Sequence, residues 1–472
     1  MTSGNFAGSQ PPEPYPVWVR VRFAARRALK WLWRSFLLLL ALLACGWTLT
    51  LAVGCLKLEA ALKAVTSNPA LSYEVPKNWD QPAPDENAAP YFTAAYSLLS
   101  YSISPQEDAL ETVVKGKWKA PPKERPKDPY TWVKGWGDLT DEERLELRVW
   151  LKRQAPVFEL AAQGADRPWC RYAREWWVDH GRTNREPWRI PVPELREVPR
   201  LSGALVALAH ARASEGKHRE AREAFRIALA VADSLRDDPF LRSQLTRTGE
   251  ISLILDNVDE LVPAGLAAAD LEEWLMIIPR SDRFDGSLER AAKWELKKQV
   301  NLFCASPGRY WFWERLSYRW GPQTLSETLR RRLSDPLFKL SAAKTLNETA
   351  HLVEVLRKPY FEAKAEAVRL EKEWQAWHES WFPTAPLVWH LSPATRLERL
   401  QQARARCAMV RAGLEWELAR VKTGAYPRTC ETVDPLTGQP FRVDDGPPRL
   451  RGADIEMSNG KSEPNTWVLR RP

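Results

Sequence analysis

Ser202–Asp233 reads SGALVALAHARASEGKHREAREAFRIALAVAD, and this stretch decides the fold. Leu205, Leu208 and Ala209 recur at helical spacing before Gly216, and Ala221, Phe225, Ala228 and Leu229 recur at it afterwards. Gly216 stands between the two runs, where a residue free to adopt positive φ lets the chain turn back. The alanines leave room for two helices to approach closely. The segment is thus expected to be a helical hairpin, and Leu205, Leu208, Gly216, Ala221, Phe225 and Ala228 are its candidate partner-binding residues.

This spacing is that of a tetratricopeptide-type hairpin. A free-standing solenoid needs about three such units, and no second copy is legible, so the hairpin is read as one helix pair inside a larger array. Helical patterns flank it on both sides. Thr140 and Glu143 form a capping box ahead of a stripe read as Leu145, Val149 and Leu151, continued by Val157, Leu160 and Ala161 beyond Pro156. Further helical runs follow to LSPATRLERLQQARARCAMVRAGLEWELARVKTG, which starts near Ser392 and stops at Gly424. Residues 139–424 are the expected helical domain. From Ala425 the chain turns rich in Pro, Asp and Gly, with Phe441-Arg442-Val443 and Thr466–Leu469 as short strands, so residues 425–472 are expected to form a small β-rich or irregular cap.

Upstream, Ser35–Leu56 (SFLLLLALLACGWTLTLAVGCL) contains no charged side chain and follows Arg20, Arg22, Arg26, Arg27, Lys30 and Arg34. At 1.5 Å per residue a helix of this length crosses the ~30 Å hydrocarbon layer. A transmembrane helix over 35–56 is therefore expected, with the bilayer as a partner. Net charge locates its ends. Residues 1–34 carry six basic residues against Glu13, a surplus of +5, which leaves 63 basic and 59 acidic residues, or +4, for the remaining 438. A body so nearly neutral argues against a nucleic-acid partner, and the basic excess beside the span orients the N-terminus to the cytoplasm. Residues 1–34 are then a basic cytoplasmic tail, and residues 57–472 lie outside. Within them, 57–138 reads as a proline-broken stalk and linker holding a short helix. Leu42-Leu43-Ala44-Cys45 and Ala52-Val53-Gly54-Cys55 resemble lipid-attachment boxes and Arg26-Arg27 a twin-arginine signal, which makes a processed signal the alternative to a retained helix.

Two stretches resemble known families. VWLKRQAPVFELAAQGADRPWCRY (149–172), the run from Pro199 to Leu245 and GEISLILDNVDELV (249–262) together resemble an uncharacterised family of single-anchor, mostly helical bacterial membrane proteins, over about residues 142–261. That resemblance implies topology and fold, with no activity attached. Gly424-Ala425-Tyr426-Pro427 followed by Asp434-Pro435-Leu436-Thr437-Gly438-Gln439-Pro440-Phe441 is similar to the C-terminal part of major pseudopilins of type II secretion. The apolar span lies far upstream rather than continuous with this tail, so the likeness is read as a local structure.

Chemistry is sparse. The six histidines show no HxxxH spacing, and no GxSxG, P-loop, GxGxxG or CxxC is present. No catalytic residue, metal ligand or cofactor is assigned, and the reading leans away from an enzyme. The acid pairs Glu272/Glu273 and Asp282/Asp285 read as helix ends and turns. The 24 tryptophans are the compositional oddity. Trp176, Trp177, Trp311 and Trp313 are the candidate aromatic platform for a sugar ring, whereas Trp374, Trp377 and Trp381 repeat at helical spacing and read as core. Of the cysteines, Cys170, Cys304, Cys407 and Cys430 lie outside the span, with no pairing set by their spacing. The functional expectation is a membrane-anchored extracytoplasmic helical scaffold or protein-interaction module of the bacterial envelope, with a protein partner. The alternatives are an envelope enzyme or glycan binder using the tryptophans, and an accessory component of a secretion apparatus.

Overall fold

The computed structural model describes residues 17–73, 83, 85–99, 136, 139–172, 192, 194–263, 265–304, 327–379, 393–444, 449–453, 455–456, 462–463 and 465–468. The first helix, α1 (Val17–Ser67), runs unbroken through the apolar segment and beyond it. It is the one helix among the described residues long and apolar enough to cross a membrane. It ends where Asn68 accepts the Ala70 N–H on its side chain and Pro69 opens a 3-10 turn. Leu37, Leu38, Leu42, Leu43 and Leu49 stand exposed along its first part.

The last third of α1 is different. Gly54, Leu58, Ala61 and Val65 repeat at spacings of four, three and four, and all are buried. They meet the helix Glu327–Leu356 through Phe338, Ala342, Ala343 and Leu346. A Cβ at Gly54 would lie 3.0 Å from the Pro336 carbonyl and 3.2 Å from the Lys339 Cβ, so glycine permits the approach. Near the other end of the seam Arg357 donates to the Ala70 carbonyl, so the two helices run parallel. The stretch expected to begin a stalk is packed into the body instead.

The body starts with a helix over residues 89–99, α2, whose Phe92, Ala95, Tyr96 and Leu99 are buried. Its entry is tied to residues 169–171. Ala88 N–H donates to the Trp169 carbonyl at 2.7 Å, and the Asn87 amide bonds both backbone groups of Arg171. Next come α3 (Asp141–Arg153) and α4 (Ala155–Ala165). The capping box forms as expected, with Thr140 N–H donating to Glu143 Oε2 at 2.8 Å and Glu143 N–H to Thr140 Oγ1 at 3.3 Å. Its buried face differs from the expected stripe. Leu147, Trp150 and Leu151 point inward while Leu145 and Val149 are exposed, because the bulky Trp150 and its i+1 and i−3 neighbours cover more apolar area against the body. Val157 and Ala161 are buried as expected, joined by Phe158, with Leu160 half-buried.

The hairpin follows as α5 (Glu194–Ser214) and α6 (His218–Asp233), reversed at Gly216 with φ of 74°. The helix α7 (Leu241–Leu255) lies against it and against α13 (Pro393–Thr423), the long helix that closes the array. Between them come α8 (Val258–Leu261), α9 (Ala268–Ile277), α10 (Ser287–Cys304), α11 (Glu327–Leu356) and α12 (Tyr360–Glu379). Trp374 on α12 is buried and donates to Glu348 Oε2 at 2.6 Å, a core position as its spacing implied.

Gly424, with φ of 80°, stops α13 where the sequence placed the stop. The cap beyond it holds an antiparallel sheet in the order β1 (Arg442–Val443), β2 (Arg449–Arg451), β5 (Thr466–Val468), and a separate pair β3 (Ile455–Glu456) and β4 (Ser462–Glu463). Both expected strands are present. Asp434 organises the turn, accepting Leu436 N–H on one oxygen and Ala453 N–H on the other, each at 2.8 Å. Trp467 seats the sheet on α13 at Gly413.

Candidate functional site

A cleft of about 270 Å³ opens beside the C-terminal end of the hairpin. Its walls come from the end of α4 and the loop to Cys170, from α6 and the turn to Asp237, from Ile251 on α7, and from the end of α9 and the segment following it to Arg283. Met276 and Trp169, at 77% and 41% exposure, are its solvent-facing apolar members.

Arginines dominate the cleft. Asp233, the last residue of α6, is gripped by three of them. Arg247, fully buried on α7, donates from Nε and Nη2 to Asp233 Oδ1 at 2.8 and 2.7 Å. Arg283 Nη2 reaches Asp233 Oδ2 at 2.8 Å, and Arg236 Nη1 lies 3.9 Å from the same oxygen. Arg236 also lies 3.7 Å from Asp237. Farther along, Arg226 is shared between Asp166 and Glu223, both at 2.7 Å, and Arg167 donates to Tyr91 OH and to the Asp85 carbonyl. Removal from water pushes the Arg247 pKa down, with Asp233 pulling the other way. Its Nη1 has no hydrogen-bond partner, and the guanidinium lies 4.9 Å above the Phe284 ring.

Behind the wall a neutral network completes the site. Tyr96 OH meets Tyr172 OH at 3.0 Å, and Tyr172 OH meets Ser234 Oγ at 3.0 Å. Burial pushes the Cys170 thiol and both phenols well above their ordinary values. A thiol held protonated in this way is a poor nucleophile. Among the described residues no group of three or more His, Cys, Asp or Glu is placed to hold a metal ion. Cys170, Cys407 and Cys430 are free thiols.

The hairpin residues singled out from sequence sit in the interior. Leu205, Ala221, Phe225 and Ala228 are fully buried, Leu208 is half-buried, and Gly216 is exposed at the turn. They position the cleft by fixing where α6 ends, and half-buried Arg226 and Arg236 line it. Trp176, Trp177, Trp311 and Trp313 lie outside the described residues. The acid pairs are mostly tied to cations: Glu272 to Lys422 at 2.7 Å, Glu273 to Arg222, and Asp285 to Arg404 at 2.9 Å. Sequence reasoning missed Asp233, Arg247 and Arg283. One signal was available, since Ser243, Gln244, Arg247, Thr248 and Glu250 fall on one side of α7 together with Ile251 and Ile254, an apolar stripe interrupted by polar groups.

Compared with protein-family models, with curated proteins and with solved structures, the chain matches none.

Proposed function

We propose that this protein is a single-pass, membrane-anchored helical scaffold whose body, residues 57–472, lies outside the cytoplasm and docks a protein partner. The observation that carries the reading is the double character of α1. Its first part exposes a continuous apolar surface that water would penalise, and one face of its last four turns is packed into the core. The absence of a break between the two supports a retained anchor over a removable leader. The basic residues before Ser35 support the inward orientation of its N-terminus.

The hairpin α5–α6 is read as one tetratricopeptide-like unit built into the bundle, with the cleft at the end of its second helix. A cleft with paired charges and apolar walls suits recognition. Three measurements test the proposal together. The protein should stay in the membrane fraction through carbonate washing, and a reporter fused after Pro472 should be active only outside the cytosol. A tagged copy should enrich a specific protein from crosslinked membranes. Release by carbonate, a cytosolic reporter signal or the absence of any enriched protein would each overturn it.

A further inference from the structure

The cleft and its ion-pair partners hold five guanidiniums, those of Arg167, Arg226, Arg236, Arg247 and Arg283, against four carboxylates, those of Asp166, Glu223, Asp233 and Asp237. One positive charge is left over. It lies at the end where three arginines converge on Asp233, with Arg247 fully buried and its Nη1 unpartnered. A guanidinium offers five N–H donors, and Arg283 spends only Nη2 on Asp233. Arg236 touches its two acids only at 3.9 and 3.7 Å. Both line the open part of the cleft with donors to spare.

Apolar groups complete the picture. Phe92, Leu229, Ile251 and Ile277 line the same space as the arginines. Resting on the docking role proposed above, we infer that the cleft receives one carboxylate from an acidic peptide segment of the partner protein, with an apolar side chain beside it. A single surplus charge matches a monoanionic carboxylate, whereas a phosphate dianion would leave the site net negative. About 270 Å³ is nearly twice the roughly 150 Å³ cavity that holds a benzene ring, room for about two side chains. Exposed Met276 and Trp169 carry the apolar surface beyond that volume, where a continuing chain would cover them and a small free acid would not.

The test uses the full-length protein in lipid nanodiscs and a fluorescein-labelled pentapeptide, Ser-Leu-Glu-Leu-Ser, blocked at both ends. The glutamate peptide should bind at least about tenfold more tightly than its glutamine counterpart, a difference of about 1.4 kcal/mol. Arg283→Gln and Arg236→Gln should each weaken it about tenfold, while Arg219→Gln, exposed at the start of α6, should not. If Arg283→Gln lowers the thermal midpoint, Arg236→Gln decides, because its contacts to acids are long. Equal binding of the two peptides, no binding at millimolar concentration, or competition by hexanoate as strong as by unlabelled peptide would overturn the inference, the last by identifying a free acid as the ligand. Crosslinked membranes separate the two proposals. A partner captured equally by wild type and Arg236→Gln sinks the carboxylate cleft and leaves the scaffold standing, whereas capture of nothing by wild type sinks the scaffold.

Discussion

Gly413→Ala should loosen the C-terminal cap, against the usual gain from removing a helical glycine. Gly413 lies within α13 between buried Ala412 and Leu414. An added Cβ would stand 2.3, 2.5 and 2.6 Å from Cδ2, Cε2 and Cγ of Trp467, where carbon pairs rest at about 3.5–4.0 Å. The ring would have to withdraw by about 1 Å or more. It cannot do so freely, since Trp467 pairs with Leu450 across the β2–β5 ladder and both side chains are buried. Overpacking of this kind costs about 1–3 kcal/mol, and outright expulsion of the ring about 3–5 kcal/mol. Better helix propensity returns up to about 1 kcal/mol. The net expectation is about 1–3 kcal/mol of destabilisation, confined to the cap. Gly249→Ala is the control, because Gly249 is exposed in α7 with nothing within 4 Å of its Cβ position, and it should stabilise by about 0.5–1 kcal/mol. Hydrogen exchange of peptides covering β1, β2 and β5 reads the effect, at tenfold faster opening for each 1.4 kcal/mol. Slower or unchanged exchange in Gly413→Ala would refute the reasoning.

Other perturbations probe the core. Burial lowers the His210 pKa below 6.5, although Asn257 and Glu260 oppose it, and the ring stacks on Trp136 at 5.4 Å. The unfolded chain therefore takes up the proton first, so this contribution is complete above about pH 6.5 and is lost as pH falls toward the lower folded value. Thermal midpoints of His210→Gln should accordingly fall less than wild type between pH 7 and about pH 5; parallel curves would contradict it. Asp233→Asn strips the fully buried Arg247 of its counter-charge and should cost about 3–5 kcal/mol in urea unfolding. A loss below about 1 kcal/mol would show that water reaches the guanidinium. Gly54→Leu should speed hydrogen exchange over residues 338–346, because its side chain would press on Pro336 and Lys339; unchanged exchange there would contradict it.

What the sequence revealed is what short-range chemistry controls. The Thr140–Glu143 box, the reversal at Gly216 and the stop at Gly424 each depend on residues within a few positions of one another. The face of α3 was misread because Leu145, Leu147, Val149 and Leu151 fit more than one stripe, and only contact with α5 selects among them. The cleft was invisible for a stronger reason. Asp233, Arg247 and Arg283 read separately as ordinary charges on three elements, and nothing in their spacing says that two guanidiniums converge on one carboxylate. Gly413 carried a usable hint, since a glycine inside a 31-residue helix weakens it unless something approaches closely.

The seam between α1 and α11 decides whether α1 swings free of the body or is fixed to it. A tether needs a break between Leu56 and Ser67, and the helix has none. Gly54 before that point and Leu58, Ala61 and Val65 after it face the same partner helix, so their angular register is part of the fold. Two alanines inserted between Leu56 and Lys57 would turn the downstream face by about 200° relative to Gly54 and remove one side or the other from α11. The same insertion between Leu38 and Leu39, within the exposed apolar run, rotates nothing that is packed. Limited trypsin digestion in nanodiscs should therefore cut the first variant rapidly within α10–α11 and leave the second as resistant as wild type. Equal resistance of both would mean that α1 serves as a tether and that the packed face contributes nothing to the body.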